Sequence, residues 1–253
     1  MASYLDARAH NGRWLLRIED IDGSLDAFAD REILQQLRLL GMRWDADPIW
    51  QSQRQALYQR YFERLKQLNR TYGCGCESQQ YRHRAYPGRC RNKLSNGTIR
   101  TWRFKVNQGL VRFNDRWLGP QKQDVYRSVG DFIIRRADQS WAYQFTVVVD
   151  DGLQGITDIV RGADLLSSTA RQRQLADALS LPKPRVLHVP LVLDKHGNKL
   201  SKQDHADALD CSRPLKTLNH AWVSLGFEAL DQVNSVDEFW QQAIQQWACQ
   251  LNI

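Results

Sequence analysis

A short lysine-rich loop near the end of a β-prone run offers phosphate chemistry. Lys199 and Lys202 are three residues apart, Ser201 lies between them, and Gly197 lets the segment turn. Two ammonium groups and a hydroxyl on a mobile loop can hold a triphosphate while its charge shifts during adenylyl transfer. The same residues also suit a solvated turn, so the interpretation depends on other segments.

Three further side chains suit the binding of an acidic amino acid. Glu19 follows a predicted buried strand, and its carboxylate can accept hydrogen bonds from an α-amine. Tyr143 offers a hydroxyl donor, and the guanidinium of Arg161 suits bidentate capture of a carboxylate. Each residue alone is better explained as a surface ion pair or a core tyrosine, but together they predict a site for an acidic metabolite.

Three of the five cysteines are clustered, which favours a metal site over a secreted disulfide framework. Cys74, Cys76 and Cys90 lie among glycines that allow tight turns, and three thiolates with one more donor suffice for tetrahedral zinc. The fourth donor could be the phenolate of Tyr86 or the imidazole of His83, which is the more usual ligand. Three free thiols in a loop are the alternative. A closed site would be structural, because it leaves no position for an activated water.

The charge of the chain favours a polyanionic partner. The sequence has 35 Lys and Arg against 28 Asp and Glu, a net charge of +7. Between residues 81 and 105 the basic residues alternate with aromatic ones and no acid is present, a pattern that favours salt-dependent binding of a phosphate backbone over a merely solvated face. These basic residues are Arg82, Arg84, Arg89, Arg91, Lys93, Arg100, Arg103 and Lys105.

Length and composition limit the class of protein. The chain has 253 residues, 42% of them hydrophobic, enough for one large domain or for one domain with a small insertion. Its apolar stretches are too short to span a membrane, and its first residues lack the apolar core of a signal peptide. We therefore expect a cytoplasmic protein without a membrane partner.

Alternating strands and helices are expected to bring these groups to one edge of a parallel sheet. Helices are predicted over residues 2–10, 27–40, 168–179 and 214–225, and two more begin at capping boxes formed by Ser52 with Gln55 and by Ser235 with Glu238. Strands are predicted over residues 14–18, 101–106, 132–134, 143–149 and 185–193. The acidic pair Asp150-Asp151 would then follow a strand end, as Glu19 and the lysine loop do.

Four segments, in this order, resemble the catalytic domains of class I glutamyl-tRNA synthetases. They are residues 17–22 (Arg-Ile-Glu-Asp-Ile-Asp), the run into Asp150-Asp151, residues 160–165 (Val-Arg-Gly-Ala-Asp-Leu) and residues 199–203 (Lys-Leu-Ser-Lys-Gln). The Cys-x-Cys and Tyr-x-x-x-Cys spacing is similar to the glutamyl-Q tRNA(Asp) synthetase branch of that family. Only about 50 residues follow Gln203, too few for the anticodon-binding domain of a full glutamyl-tRNA synthetase. The resemblance covers essentially the whole chain.

The resemblance implies an α/β fold with a Rossmann-like, parallel-sheet class I catalytic core. That core would comprise residues 1–70 and 126–205, with a zinc-binding insertion at 71–125 and a short helical C-terminal tail at 206–253. The resemblance also assigns roles. It implies glutamate contacts at Glu19, Tyr143 and Arg161; ATP contacts at Lys199, Ser201 and Lys202, the last as the main catalytic group; and structural Zn²⁺ on Cys74, Cys76, Tyr86 and Cys90 rather than on His83.

The implied activity is tRNA-independent activation of L-glutamate by ATP with Mg²⁺. A monomeric enzyme would then transfer glutamate to the queuosine base in the anticodon of tRNA(Asp). Two alternatives stay open: a non-catalytic tRNA-binding relic of a synthetase, and a catalytic fragment of an ordinary glutamyl-tRNA synthetase.

The sequence departs from the family pattern in two places. The family begins with a strand and a HIGH-type signature, whereas Met1 aligns inside the first helix. Gly23-Ser24-Leu25 stands where the family usually has Pro-Pro-Arg. We therefore expect a truncated N-terminus, poor stability and little adenylate formation from the 253-residue form.

Overall fold

The computed structural model describes residues 1–21, 29–77, 81, 84–94, 97–193, 197, 199–200 and 209–253. Several of the positions discussed above therefore lie outside the described residues: Asp22, the Gly23-Ser24-Leu25 segment, Arg82, His83, Ser201, Lys202 and Gln203.

Eight α-helices form in the described ranges, and the predicted ones are confirmed to within a few residues at residues 2–10, 168–179 and 214–225. They are α1 (Ala2–Ala9), α2 (Ala29–Leu39), α3 (Gln55–Gln67), α4 (Val125–Ser128), α5 (Tyr143–Gln154), α6 (Leu166–Leu179), α7 (Pro214–Ser224) and α8 (Val236–Leu251). None of these described helices is long and apolar enough to cross a bilayer.

Nine strands form three sheets in the described part of the chain. They are β1 (Arg17–Ile18), β2 (Ile49–Trp50), β3 (Thr71–Cys74), β4 (Thr101–Phe104), β5 (Leu110–Asp115), β6 (Gly119–Asp124), β7 (Ile133–Arg135), β8 (Asp158–Gly162) and β9 (Arg185–Val189). The pair β1–β2 is parallel, and β3, β4 and β7 form an antiparallel sheet. The third sheet has the order β6-β5-β9-β8, in which β9 pairs in parallel with both its neighbours. Parallel pairing is thus confirmed, although the two predicted strands that take part in it, β1 and β9, lie in different sheets, and β8 was not predicted as a strand.

The prediction of a buried strand over residues 143–149 is wrong, because these residues form the first part of α5. Seven consecutive residues of this helix, Phe145 to Asp151, are buried. A helix that is buried on every side has no polar face, so its sequence loses the 3.6-residue period and its valines imitate a strand. Gly155, in the left-handed conformation at φ 66°, ends the helix. Asp150 and Asp151 therefore lie near the C-terminal end of this helix and not at a strand end.

The predicted capping box at Ser52 is also wrong. The backbone N–H and the hydroxyl of Ser52 both donate to the carboxylate of Asp20, at 2.8 and 2.5 Å, and α3 begins only at Gln55. The second capping residue is confirmed, since Ser235 Oγ accepts from Glu238 N at 3.1 Å. Several predicted strands are shorter than expected: residues 14–18 yield only β1, and β9 ends before Pro190.

Two large apolar cores support the sheets. One joins α1, α7 and α8 and contains Trp222 and Trp247, both fully buried. The other packs α3, α5 and α6 around Tyr58 and Phe145. The hairpin β5–β6, which follows the cysteine-rich segment, joins β9 and so connects that segment to the parallel strands.

Candidate functional site

Arg17, the first residue of β1, contacts three carboxylates. Its Nη1 lies 2.8 Å from Asp151 Oδ1, and its Nε lies 3.4 Å from Glu19 Oε1 and 3.9 Å from Asp150 Oδ2. Burial alone would lower the pKa of Arg17, but Asp151, Glu19 and Asp150 together raise it above its usual range. The arginine therefore stays charged and holds the acidic groups in one place.

Two carboxylates of this cluster are held at a cost in free energy. Burial raises the pKa of Glu19 and of Asp151 above the usual range, although Arg17 acts in the opposite direction on both. The Glu19 side chain is still 38% exposed, so a ligand can reach it. An added ammonium group beside Glu19 would supply positive charge where the protein leaves the carboxylates undercompensated.

Asp150 has a different role, because it is fully buried and well satisfied. It accepts hydrogen bonds from Gln51 Nε2, Arg54 Nε and Tyr58 Oη, each at 2.7 Å. Carboxylates in the last turn of a helix oppose its dipole, and Arg17 and Arg54 offset that repulsion. Asp150 thus ties the end of α5 to the start of α3.

Tyr143 begins α5 beside Glu19 and Arg161. Burial raises the pKa of Tyr143, Glu19 raises it further, and Arg161 opposes the rise. Burial lowers the pKa of Arg161 in turn, while Tyr143 and Asp151 act to raise it, in part through a hydrogen bond with Tyr143. The fold thus places Glu19, Tyr143 and Arg161 in one electrostatic neighbourhood, and their roles in ligand binding stay predictions.

The lysine loop approaches this neighbourhood from the end of β9. Lys199 Nζ forms an ion pair with Asp164, which lies two residues after β8. The backbone of Lys199 also forms an isolated antiparallel β-bridge with Leu193. Hydrogen bonding to Lys199 lowers the pKa of Asp164 below its usual range. The start of the predicted triphosphate loop therefore lies at the C-terminal end of β8, close to Arg161 in the chain.

A cavity of about 570 Å³ extends from the charged cluster along β1 and β8. Its lining includes Arg17, Glu19 and Asp151. Among the described residues β1 and β8 belong to different sheets, and this cavity is lined by residues of both strands.

The cysteine cluster is compact and buried. The Sγ atoms of Cys74, Cys76 and Cys90 all lie within 4.8 Å of one another, and Cys76 Sγ is 3.7 Å from Cys90 Sγ. Tyr86 Oη is 3.3 Å from Cys74 Sγ and 3.6 Å from Cys76 Sγ. The N–H of Cys90 donates to the same oxygen at 3.1 Å, which suits a phenolate acceptor.

These four donors fit a tetrahedral zinc ion. With Zn–S near 2.3 Å and Zn–O near 2.0 Å, tetrahedral geometry requires S–S separations of about 3.8 Å and S–O separations of about 3.5 Å. The Cys76–Cys90 Sγ separation of 3.7 Å and the Tyr86 Oη separations of 3.3 and 3.6 Å are close to those values, and all three sulfurs lie within 4.8 Å of one another. Burial and the neighbouring thiols raise the pKa of Tyr86, so the charge of a metal ion would be needed to ionise it.

The basic segment of residues 81–105 is less available to an RNA than its sequence indicates. Arg103 is buried, donates to Cys74 Sγ at 3.3 Å and lies over the Tyr86 ring. Arg91 is ion-paired with Asp131, and Lys105 Nζ donates to Asn69 at 2.7 Å. The basic side chains of this segment that stay exposed in the described residues are Arg84, Arg89, Lys93 and Arg100.

A second cavity, of about 410 Å³, lies between the cysteine cluster and the helices α5 and α6. Tyr81 and Arg84 line it from the cysteine-rich side, and Gln144 and Arg171 line it from the helices. Gln144 follows Tyr143 directly in the chain, so the first turn of α5 contributes both to this cavity and to the predicted amino-acid site.

Sequence reasoning missed several residues of this region. Arg17 was visible in the Arg-Ile-Glu-Asp-Ile-Asp segment, but its contacts with Asp150 and Asp151 depend on the helical form of α5. His188 and Asp115 give no sequence signal, because they lie 73 residues apart and meet only through the pairing of their strands.

Comparison with known proteins places the chain among tRNA synthetases. Residues 1–214 match the family model described as tRNA synthetases class I (E and Q), catalytic domain. The glutamyl-Q tRNA(Asp) synthetase of Bordetella bronchiseptica is 51% identical, over 98% of this chain and 82% of that protein. The protein of the same name from Janthinobacterium sp. is 48% identical, over 98% of this chain and 89% of that protein.

Solved structures agree on the fold. The glutamate-tRNA synthetase of Elizabethkingia anophelis matches with a TM-score of 0.75 at 21% identity, over 98% of this chain and 66% of that one. A glutamate tRNA ligase from Elizabethkingia meningosepticum, in complex with its amino acid, matches with a TM-score of 0.76 at 21% identity, over 98% and 64%. The chain thus spans about two thirds of the length of these solved chains.

Proposed function

The chain belongs to the glutamyl-Q tRNA(Asp) synthetase family of class I tRNA synthetases, and on that premise we propose that it activates glutamate with ATP and transfers it to queuosine in tRNA(Asp). The observation that carries the proposal is the grouping of Glu19, Tyr143 and Arg161. Glutamate has an amine for a carboxylate and a side-chain carboxylate for a guanidinium, so its two ends complement the charges of this site.

The proposed reaction needs no nucleophile from the protein. The α-carboxylate of glutamate attacks the α-phosphate of ATP and releases pyrophosphate; a hydroxyl of the queuosine ring then attacks the acyl carbon and releases AMP. The protein lowers the barrier by alignment and charge stabilisation. We assign the triphosphate contacts to Lys199, Ser201 and Lys202, with Lys202 as the main electrostatic contributor. Bound Mg²⁺ would shield the phosphate charges.

Lys199 must exchange partners for this reaction. Its ion pair with Asp164 is at the surface, with the two side chains 50% and 34% exposed, so opening it costs little. A phosphate oxygen can then replace the carboxylate, and Asp164 would hold the loop in place before ATP binds.

We assign a structural zinc ion to Cys74, Cys76, Tyr86 and Cys90, supported by the donor separations. The ion would fix the cysteine-rich segment against the core, in keeping with the division into residues 1–70, 71–125, 126–205 and 206–253. The exposed Arg89 and Lys93 are then available to the RNA backbone. The cavity lined by Tyr81, Gln144 and Arg171 gives a nucleoside a route to Tyr143.

The test is transfer of labelled glutamate to queuosine-containing tRNA(Asp), with tRNA(Asp) that lacks queuosine as the matched control. The 3′-terminal CCA is removed from half of each sample, and ribonuclease digestion then locates the label. We expect the label in the anticodon fragment, dependent on queuosine and independent of the CCA end.

Two outcomes would contradict the proposal. In a parallel reaction with tRNA(Glu), label at the 3′ end that is lost with the CCA would identify a fragment of an ordinary glutamyl-tRNA synthetase. Tight, salt-sensitive tRNA binding without transfer or glutamate-dependent pyrophosphate exchange would identify a non-catalytic binding module.

A further inference from the structure

His188 is completely buried, yet the proposed reaction gives it no role. It lies on β9 directly opposite Arg161 of β8, since the two residues are Cα partners in the parallel register. On its other side β5 carries Asp115, which is 1% exposed. Asp115 pairs with Val186, two residues before His188 on the same face of β9, so its side chain reaches His188 diagonally, and three neighbouring strands join an aspartate, a histidine and an arginine in one row of side chains.

Hydrogen bonds join this row without a gap. His188 Nδ1 lies 2.6 Å from Asp115 Oδ2, and Arg161 Nε donates to His188 Nε2 at 3.1 Å. Arg161 Nη2 donates to Thr169 Oγ1 at 3.0 Å and to the Leu165 carbonyl at 3.4 Å. The guanidinium is therefore held on one edge by the interior of the protein.

The donors and acceptors fix the state of the imidazole. Asp115 Oδ1 accepts the N–H groups of Trp117 and Leu118 at 3.0 and 2.9 Å, and although burial raises the pKa of Asp115, hydrogen bonds including that from His188 keep it below its usual range. An ionised carboxylate can only accept, so Nδ1 carries the proton. Nε2 is then an acceptor, as the N–H of Arg161 requires.

We propose that His188 and Asp115 are positioning residues that orient Arg161 for the side-chain carboxylate of the substrate. The inference rests on the proposed glutamate site. With Nε and Nη2 bound to protein acceptors, the plane of the guanidinium is fixed, and its remaining N–H groups can be shared between Tyr143 and the substrate. A fixed cationic donor beside a hydroxyl selects a carboxylate over a carboxamide, so the pair controls discrimination of glutamate from glutamine.

The substitution Asp115→Asn tests the chain of bonds with almost no change in shape. The backbone N–H groups of Trp117 and Leu118 require an oxygen at the Oδ1 position, so the amide nitrogen of the asparagine would face His188 Nδ1. It would donate there, the proton would move to Nε2, and two N–H groups would then face each other between His188 and Arg161. We expect glutamate to bind at least about tenfold more weakly, with the affinity for ATP unchanged.

Two variants at the histidine provide the rescue experiment. Leucine in His188→Leu keeps the volume but neither polar atom, whereas glutamine in His188→Gln keeps one acceptor and one donor. We expect His188→Leu to match the loss in Asp115→Asn and His188→Gln to retain glutamate affinity within about threefold. The exposed Asp177→Asn is the matched control, because it makes the same chemical change away from the row.

Affinities for glutamate, glutamine and ATP are measured by calorimetry, with thermal unfolding of each variant. Folded Asp115→Asn that binds glutamate as tightly as the wild type would overturn the inference alone. Wild-type protein that does not bind glutamate would overturn the proposed function together with it. If Asp115→Asn does not fold, ¹⁵N resonances of the wild-type imidazole decide: a protonated Nδ1 supports the inference, and a protonated Nε2 overturns it.

Discussion

The charged cluster around Arg17 and the cysteine cluster both bury polar atoms, but they compensate them differently. In the charged cluster, arginines of the protein face every carboxylate, and the remaining imbalance appears as the raised pKa values of Glu19 and Asp151. In the cysteine cluster, three sulfurs and a phenol lie close together, and the guanidinium of Arg103 contacts Cys74. The first region pairs its charges within the protein, whereas the second offers a set of donors that suits an added cation.

Removal of the metal should give the largest effect. With Cys76→Ser, we expect loss of one bound zinc per chain and a fall of at least about 5 kcal/mol in the free energy of unfolding of the cysteine-rich segment. Metal analysis in chelator-free buffer and thermal unfolding measure both. Cys249→Ser, at an exposed cysteine, is the control. Wild-type protein with well under one zinc would contradict the assignment.

Within the charged cluster, Asp150 should matter most for stability. The substitution Asp150→Asn leaves Arg54 without its buried partner, and we expect a loss of about 3 kcal/mol in urea unfolding. Asp164→Asn, which breaks the exposed pair with Lys199, should cost less than about 1 kcal/mol. Equal losses of stability for the two variants would contradict the expectation that the buried ion pair of Asp150 contributes more than the exposed ion pair of Asp164.

Arg161 should matter directly for the ligand. Lysine in Arg161→Lys keeps the positive charge but loses the planar array of donors, so we expect glutamate affinity to fall at least about tenfold, or roughly 1.4 kcal/mol. Calorimetry measures this, with Arg127→Lys as the control because the Arg127 side chain is 86% exposed. An unchanged affinity would exclude Arg161 from the glutamate site.

The smallest effect is expected from Glu19→Gln and depends on pH. Because the folded-state pKa of Glu19 is raised, its ionised form destabilises the fold, and wild-type stability gains as pH falls through that pKa. The variant should therefore be slightly more stable than wild type at pH 7, by less than about 1 kcal/mol for this partly exposed group, and the difference should vanish near pH 4. Denaturant unfolding at several pH values measures it. If Glu19→Gln is less stable than wild type at pH 7, the prediction that the ionised Glu19 carboxylate destabilises the fold is wrong.

Sequence patterns predict part of this architecture for reasons that can be stated. The cysteine cluster is local, since glycine-rich turns bring nearby residues together, and the amphipathic α8 keeps a clear period and a Ser235 cap. The sequence prediction missed the helix α5, because burial on all sides removes the 3.6-residue period from its sequence. The predicted cap at Ser52 does not form because the Ser52 hydroxyl donates to Asp20, which is distant in the chain, and not to the local backbone. The pairing of Asp115 with His188 depends on strand register, which spacing along the chain does not specify.

The length of the helix α5 also fixes how far apart two residues of the site lie. The helix carries Tyr143 at its first residue and Asp151 near its last, so it sets the separation of their Cα atoms along its axis at about 12 Å by its rise of about 1.5 Å per residue. Deletion of a single residue between them would shorten that span and rotate one end against the other by about 100°. Valines within this segment can thus be exchanged for residues of similar volume, but their number is fixed by the distance between a hydroxyl and a carboxylate.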